Sequence, residues 1–174
     1  MFYALMIDSN GNGIGPHAYA EEPSSYPQNE IPCAEAQAMN PMAYQVVNGQ
    51  IVESLSYAKT SQIALLQSAF EQAEQAPVSL TLASGVTTSF GMTPHDWTKI
   101  VGLYSKYVVK GDPIPSNYPL PDVNMVLRTV TKTDIDNLFE AGKTQIDGAV
   151  AKLASLVGEV QAATTVSAVQ AIVW

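Results

Sequence analysis

Hydrophobic and polar positions follow two different patterns along the chain, and the change falls near residue 54. Before it, the apolar run Phe2–Ile7 predicts a buried strand, and the Asn-Gly pairs of residues 8–13 predict a tight turn after it. Tyr44–Val47 and Gln50–Glu53 flank Asn48 and Gly49, which is the strongest short-range hairpin signal a sequence offers. Residues 1–53 therefore predict a small N-terminal β head.

Four prolines lie between the predicted strand at residues 2–7 and the predicted hairpin at residues 44–53, namely Pro16, Pro23, Pro27 and Pro32. So many prolines are incompatible with a helix or with interior strands, so the pattern predicts long loops. A β unit of this size does not bury enough apolar surface to be stable alone. We expect the head to rest on the second part of the chain or on a partner, and to serve attachment or docking.

From residue 54 the apolar positions recur with helical spacing until Pro77, and two alternating runs then predict a hairpin over residues 78–90. Thr93, Pro94 and Asp96 have the residue types of a helix start, and this helix is expected to end at Gly111. The spacing also places Trp97 on the apolar face of that helix, in the core.

A second proline-rich loop precedes residues 123–130, which the pattern predicts as a third strand of the same sheet. Thr131 and Asp134 repeat the helix-start pattern before a long amphipathic helix, which Thr164 and Thr165 interrupt. Residues 54–174 thus predict a helix–β-hairpin–helix–strand–helix–helix domain. The predicted fold class is α+β, with helices packed on a small antiparallel sheet.

Composition narrows the possible partners of this fold. The chain has 174 residues, of which 47% are hydrophobic and 14% charged, with a net charge of -8. An acidic protein with scattered cations does not attract phosphates, so we expect neither nucleic-acid binding nor adhesion to anionic membranes. No apolar run approaches the ~20 residues of a membrane span, and the N-terminus lacks a signal-peptide pattern. We expect synthesis in the cytoplasm without membrane insertion.

The residues that usually carry catalysis or bind metals are few. Cys33 is the only cysteine, which excludes an intramolecular disulfide, and we expect it to be a small, partly buried hydrophobic residue. His17 is expected to be a solvated loop residue, with Asp8 and Glu21 as its nearest carboxylates on either side. His95 falls in the first turn of a helix, where the dipole disfavours its protonation.

Two loop motifs are also better explained as turns than as binding sites. Residues 10–15 are rich in glycine, but Pro16 prevents the helix that a phosphate-binding loop requires. Asp8, Asn10 and Asn12 have the spacing of a calcium loop, whose twelfth position holds Tyr19 instead of glutamate. We therefore predict no catalytic residue, no cofactor and no metal site.

Aromatic residues of the head, the loops and the C-terminus are the candidate contacts for a protein partner, namely Tyr19, Tyr26, Tyr44, Tyr118 and Trp174. Tyr118 lies among prolines that stiffen its loop. Trp174 is either tucked into the layer of helices and sheet or presented to a partner.

Several short segments of the second part carry a likeness to a known family, namely Lys59 with Phe70 and Ala73, Val78–Thr81, Gly85 with Phe90, Val130 with Thr131, Asp134 and Leu138, Ala162–Thr165, and Val169 with Ile172 and Trp174. In the head, the opening strand and residues 47–52 add to it. In these segments the chain resembles the C-terminal domain of unknown function found in phage tail-fibre-region and tail-fibre-assembly proteins. An aromatic-rich segment with Trp, common in fibre-assembly proteins, is absent between the head and the first helix.

The resemblance implies a non-enzymatic structural protein of the phage virion, associated with the tail fibre or baseplate through protein–protein contacts. We also expect a homo-oligomer. Two other functions stay open, a tail-fibre-assembly chaperone that leaves the finished particle and a small glycan-binding module.

Overall fold

The computed structural model describes residues 1–116 and 118–174, and within them the chain has the α+β fold that the sequence predicts. The helices are α1 Glu35–Met39, α2 Leu55–Glu74, α3 Pro94–Leu103, α4 Lys132–Ala162 and α5 Val166–Gln170. The strands are β1 Phe2–Ile7, β2 Gly13–Tyr19, β3 Glu30–Cys33, β4 Tyr44–Val47, β5 Gln50–Glu53, β6 Val78–Thr81, β7 Thr87–Phe90, β8 Tyr118–Pro121 and β9 Leu127–Val130. No helix in these ranges combines the length and the apolar composition that crossing a bilayer requires.

The chain forms two compact units. The first contains residues 1–66 and 156–173, and the second contains residues 67–155 and Trp174. This division does not coincide with the predicted boundary between residues 53 and 54, because the start of α2 and residues 156–173 group with the N-terminal strands. In the first unit, Lys59 Nζ donates to the Gln161 carbonyl at 2.7 Å, and Gln62 Nε2 donates to the Ile172 carbonyl at 2.6 Å.

The head contains a three-stranded antiparallel sheet in the order β2–β1–β3. The predicted strand β1 is its central strand, and Ala4 and Leu5 on it are fully buried. The turn after it is closed by the Asp8 carboxylate, which accepts hydrogen bonds from the amides of Asn10 and Asn12 and from the Asn12 side chain. These bonds hold the pKa of Asp8 below its usual value.

The prediction of long loops around Pro16 and Pro32 was wrong. Pro16 lies in β2 opposite Leu5, and Pro32 lies in β3 opposite Ala4. Both are edge strands, so a residue without an N–H group can point its nitrogen away from β1 without breaking a ladder hydrogen bond. A short helix, α1, also lies within the segment predicted as loop.

The predicted hairpin of β4 and β5 is confirmed. Asn48 and Gly49 have φ values of 52° and 78°, as a type I′ turn requires, and Val46 pairs with Ile51. The Val46 amide donates to the Gly11 carbonyl at 2.7 Å, which ties the hairpin to the turn after β1.

The second unit contains two separate hairpins, β6–β7 and β8–β9. The first is confirmed, whereas the third strand predicted over residues 123–130 is confirmed only for Leu127–Val130 and does not join the sheet of the first hairpin. Asp122 and Val126 close a turn instead, with the Asp122 amide donating to the Val126 carbonyl at 3.0 Å, so that β9 pairs with β8. Pro119 and Pro121 lie in β8, where a two-stranded sheet leaves one strand edge unpaired.

The core of the second unit is formed by the hairpins and the helices that follow them. Its buried residues are Val78, Leu82, Phe90, Met92, Ile100, Leu103, Tyr107, Leu120, Val130, Ile135 and Leu138. Trp97 is half-buried against this core and stacks on Phe139 at 5.4 Å between ring centroids, which confirms its predicted inward orientation.

Both predicted helix starts are confirmed by their cap hydrogen bonds. The Thr93 hydroxyl accepts from the Asp96 amide at 3.3 Å, and the Thr131 hydroxyl accepts from the Asp134 amide at 3.2 Å. The helix expected to continue to Gly111 changes after α3 into a π-helical turn, in which the Lys110 amide donates to the Ser105 carbonyl five residues back.

Candidate interaction site

A carboxylate in the head, that of Glu30, joins His17 to Tyr19, which is one of the predicted contact residues. His17 and Tyr19 are two residues apart on β2 and lie on one face, and Glu30 begins β3 on the other side of β1. His17 Nδ1 lies 2.8 Å from Glu30 Oε1, and the Tyr19 hydroxyl donates to Glu30 Oε2 at 2.5 Å. The Glu30 side chain is only 8% exposed, whereas that of His17 is 48% exposed.

Tyr26 completes this group, which we call the Glu30 cluster (His17, Tyr19, Tyr26 and Glu30). The rings of His17 and Tyr19 are stacked with centroids 4.4 Å apart, and Tyr26 meets Tyr19 edge-on at 5.7 Å. Such edge-on pairs stabilise aromatic arrangements beyond their burial. The structure therefore brings the predicted contact residues Tyr19 and Tyr26 together.

Electrostatics in the Glu30 cluster favours a fixed surface over a reactive one. The hydrogen bond to Glu30 raises the pKa of Tyr19 to about 12, so its hydroxyl stays protonated. The hydrogen bonds from Tyr19 and then from His17 lower the pKa of Glu30, which stays ionised. A carboxylate with a lowered pKa is a weak base, so Glu30 is poorly suited to taking a proton from a substrate.

A surface cavity of about 350 Å³ lies beside Tyr26. Phe2, Tyr26, Glu22 and Glu35 line it, and the Tyr3 hydroxyl donates to Glu35 Oε1 at 3.0 Å. Aromatic rings beside carboxylates suit a cationic or amphipathic side chain of another protein.

Cys33 also lines this cavity, and burial raises the pKa of its thiol. A raised pKa leaves less of the nucleophilic thiolate at neutral pH.

Tyr44 lies at a different place in the first unit. It is half-buried on β4 and lines a cavity of about 370 Å³ together with Glu53, Tyr57, Leu65 and Val166. The other side chains of this lining are mainly hydroxyls and amides, with no cation among them.

Tyr118 and Trp174 belong to the second unit, and both are half-buried there. The Tyr118 ring meets the buried Tyr107 ring at 5.7 Å. Trp174 packs against Phe70 at 6.4 Å, and Lys152 Nζ lies 4.7 Å from its ring centroid. Of the two alternatives for Trp174, the structure shows a residue held within the chain.

Sequence reasoning missed two features, one in each unit. His17 was expected to be a solvated loop residue near Asp8 and Glu21, but it lies on a strand and pairs with Glu30. The exposed apolar side chains after Asp122 were assigned to a strand. One sequence signal could have indicated the turn. Asp122 follows the extended segment Tyr118–Pro121, and apolar residues come directly after it.

Within residues 1–116 and 118–174, no group of three His, Cys, Asp or Glu side chains could hold a metal ion. His95 is exposed at the start of α3.

Comparison with known proteins adds no relative. No family model matches the chain, and neither a curated protein nor a solved structure does.

Proposed function

We propose that the chain is a non-enzymatic structural protein of a bacteriophage tail, made in the host cytoplasm and retained in the virion. In this proposal it binds tail-fibre or baseplate protein through the first unit. The observation that carries the proposal is the Glu30 cluster with its adjoining cavity, in which tyrosines are held in fixed positions beside exposed Met1 and Phe2. The resemblance of the second part to phage tail proteins supports the choice of partner.

The physical argument concerns the composition of protein interfaces. Aromatic residues and Met are enriched at their centres, and rigid anchors lose little entropy on binding. The first unit exposes further apolar side chains at Ile14, Met39 and Met42. With a net charge of -8, the chain favours a neutral or basic protein surface and disfavours nucleic acid.

Mass spectrometry of gradient-purified phage particles tests where the protein acts. Stoichiometric presence supports a structural tail protein. Absence from particles combined with co-purification with the fibre protein supports the assembly chaperone instead. If the chain neither enters particles nor associates with any tail protein, both functions are excluded.

Co-purification with the fibre protein also tests the surface. Tyr26→Ala removes one ring of the Glu30 cluster, and we expect binding to weaken at least about tenfold, as for an interface anchor. Val109→Ser is the control, because it removes an apolar side chain that is exposed on the second unit and is not part of the cluster. Equal binding by both variants would contradict the role of the cluster.

A glycan-binding function is the second candidate, and the Tyr44 cavity favours it. Tyr44 and Tyr57 offer aromatic rings, while the exposed side chains of Asn40, Ser61 and Gln170 offer hydrogen-bonding groups, as in sites for small polar ligands. Saturation-transfer NMR with glucose, galactose and N-acetylglucosamine tests it. Signals that disappear in Tyr57→Ala would support binding, and the absence of signal for all three sugars would exclude it for this class.

A further inference from the structure

The second unit contains the same hairpin–helix arrangement twice. Val78 pairs with Phe90 in the first hairpin and Tyr118 with Val130 in the second, so that paired residues are forty positions apart in the two copies. A helix with a Thr cap follows each hairpin. The first arrangement therefore serves as an internal reference for the second.

The two turns have the same backbone geometry. The amide of Gly85 donates to the Leu82 carbonyl at 2.8 Å, and the amide of Met125 donates to the Asp122 carbonyl at 2.9 Å. Gly85 has a φ of 84°, and Met125 has a φ of 61° at the corresponding position. A side chain is disfavoured at positive φ, so Met125 strains the turn where Gly85 does not.

The side chains at the two turns differ sharply. The first carries Ala83, Ser84, Gly85, Val86 and Thr87, and the second carries Val123, Asn124, Met125, Val126 and Leu127. We call residues 123–127 the apolar tip. Met125 is 79% exposed and Leu127 67% exposed, so these large side chains have little contact with the rest of the chain.

A buried carboxylate holds the apolar tip in place. Asp122 accepts hydrogen bonds from the amides of Asn124 and Val126 at 2.9 and 3.0 Å. The Thr88 hydroxyl at 2.9 Å and Arg128 Nε at 2.8 Å complete the set. Strain at an exposed residue persists only where the surroundings enforce it, and such positions concentrate at binding sites.

The same unit carries an apolar cavity of about 190 Å³, which we call the Trp97 cavity. It is lined by Met92, Pro94, Trp97 and Ile146, together with Glu74 and Gln75. Its size admits one methionine side chain, and a thioether beside an aromatic ring is a favourable contact.

We propose that the apolar tip of one chain inserts Met125 into the Trp97 cavity of a second copy. The occupant is a second copy because a protruding apolar group and a cavity of matching chemistry occur on one unit of the same chain. Contacts of this kind join different surfaces of two molecules and either close into a ring or extend.

The expected association is weak. The exposed area of five residues is far below the ~800 Å² per partner of a standard interface. Two copies that each carry a charge of -8 also repel one another, and salt screens this repulsion. We therefore expect self-association that strengthens when the ionic strength is raised.

Sedimentation velocity of the full chain over a range of concentrations tests the proposal. The average mass should rise above 18.6 kDa at high micromolar concentration. Met125→Gly, which installs the residue of the first turn, should weaken association at least about tenfold without lowering Tm. A lower Tm would show that Met125 serves the fold of its own chain, and would overturn the proposal.

Pro94→Glu provides the complementary variant. Glutamate is well tolerated in the first turn of a helix, and at this position it places a charge in the Trp97 cavity. Each variant alone should remain monomeric, whereas a mixture should associate, because Met125→Gly keeps the cavity and Pro94→Glu keeps the tip. A wild-type chain that stays monomeric at all concentrations, or a mixture that does not associate, would overturn the proposal. Neither result would bear on binding to tail proteins.

Discussion

Asp122 and Glu30 are carboxylates that the fold keeps ionised by hydrogen bonds. Burial opposes ionisation of Asp122, but the bonds from Arg128, the backbone amides and Thr88 outweigh it and lower its pKa to about 2. At Glu30, the Tyr19 hydroxyl and then His17 have the same effect. At the scale of the residue, each carboxylate therefore bonds to side chains from a segment that is distant from it in the sequence.

Acid should remove the contribution of Asp122. Because its folded pKa lies below the unfolded value, its stabilisation is complete above about pH 4 and is lost as the pH falls towards 2. We expect Asp122→Asn to lower Tm by roughly 5 °C at pH 7 and by almost nothing at pH 2, as measured by circular dichroism. Asp147→Asn is the control, because its pair with Lys143 is exposed and should change Tm little.

Removing the Tyr19 hydroxyl should raise the pKa of Glu30. Tyr19→Phe deletes the largest cause of the lowered value but keeps the ring that stacks on His17. Carbon-detected NMR titration of the Glu30 carboxyl would measure the change. Tyr3→Phe, which removes a bond to Glu35 instead, should leave Glu30 unchanged. An unchanged titration of Glu30 in Tyr19→Phe would contradict the assigned cause.

At the scale of the element, the long helix α4 is shaped by the residues that pack on it. A Cβ atom at Gly142 would lie 2.4 Å from Met92 Cε and 2.7 Å from Trp97 Cζ3. Gly148 on the same helix has no such neighbour within 4 Å. The two glycines therefore have different roles, although both lower the helix propensity of α4.

Alanine at these positions should have opposite effects. Gly142→Ala should reduce the free energy of unfolding by about 1–2 kcal/mol through overpacking against Met92 and Trp97. Gly148→Ala should increase it by about 0.5–1 kcal/mol, because alanine is the better helix former. Urea denaturation followed by circular dichroism measures both. Stabilisation by both variants would show that the side chains of Met92 and Trp97 shift to accommodate the added methyl group at position 142.

The two helix caps should also differ in strength. Asp134 is buried and accepts bonds from the Thr131 amide, the Thr131 hydroxyl and the Ala83 amide, which joins α4 to the first hairpin. The partly exposed carboxylate of Asp96 accepts a bond from the hydroxyl of its own cap residue, Thr93. We expect Asp134→Ala to cost about 2–3 kcal/mol and Asp96→Ala about 0.5–1 kcal/mol in urea denaturation. Equal costs would refute the bridging role of Asp134.

At the scale of the whole molecule, the net charge of -8 governs which partners the chain can approach. It repels other polyanions at long range, while the apolar tip and the Glu30 cluster are the contacts that we propose for proteins. The charge was available from composition, but the positions of these contacts depend on how the strands pair.

Fluorescence anisotropy with labelled double-stranded DNA tests the effect of this charge. We expect no binding at 150 mM salt up to roughly 100 µM protein, because no counterions are released by an acidic surface. A basic protein of similar size, with a net charge of similar magnitude and opposite sign, is the control. Saturable, salt-sensitive binding would contradict the exclusion of nucleic acid.

The sequence by itself determined the features that depend on neighbours along the chain. The Asn48–Gly49 turn, the Thr93 and Thr131 caps and the β6–β7 hairpin follow from local backbone preferences and short-range hydrogen bonds. The tertiary structure alone decided which distant segments pair. Pro16 and Pro32 argue against interior strands but not against edge strands, and only the sheet order shows that both lie at edges. For the same reason, the bonds of Glu30 with His17 and Tyr19 and the packing of Trp174 on Phe70 could not be read from spacing, because they join residues that only folding brings together.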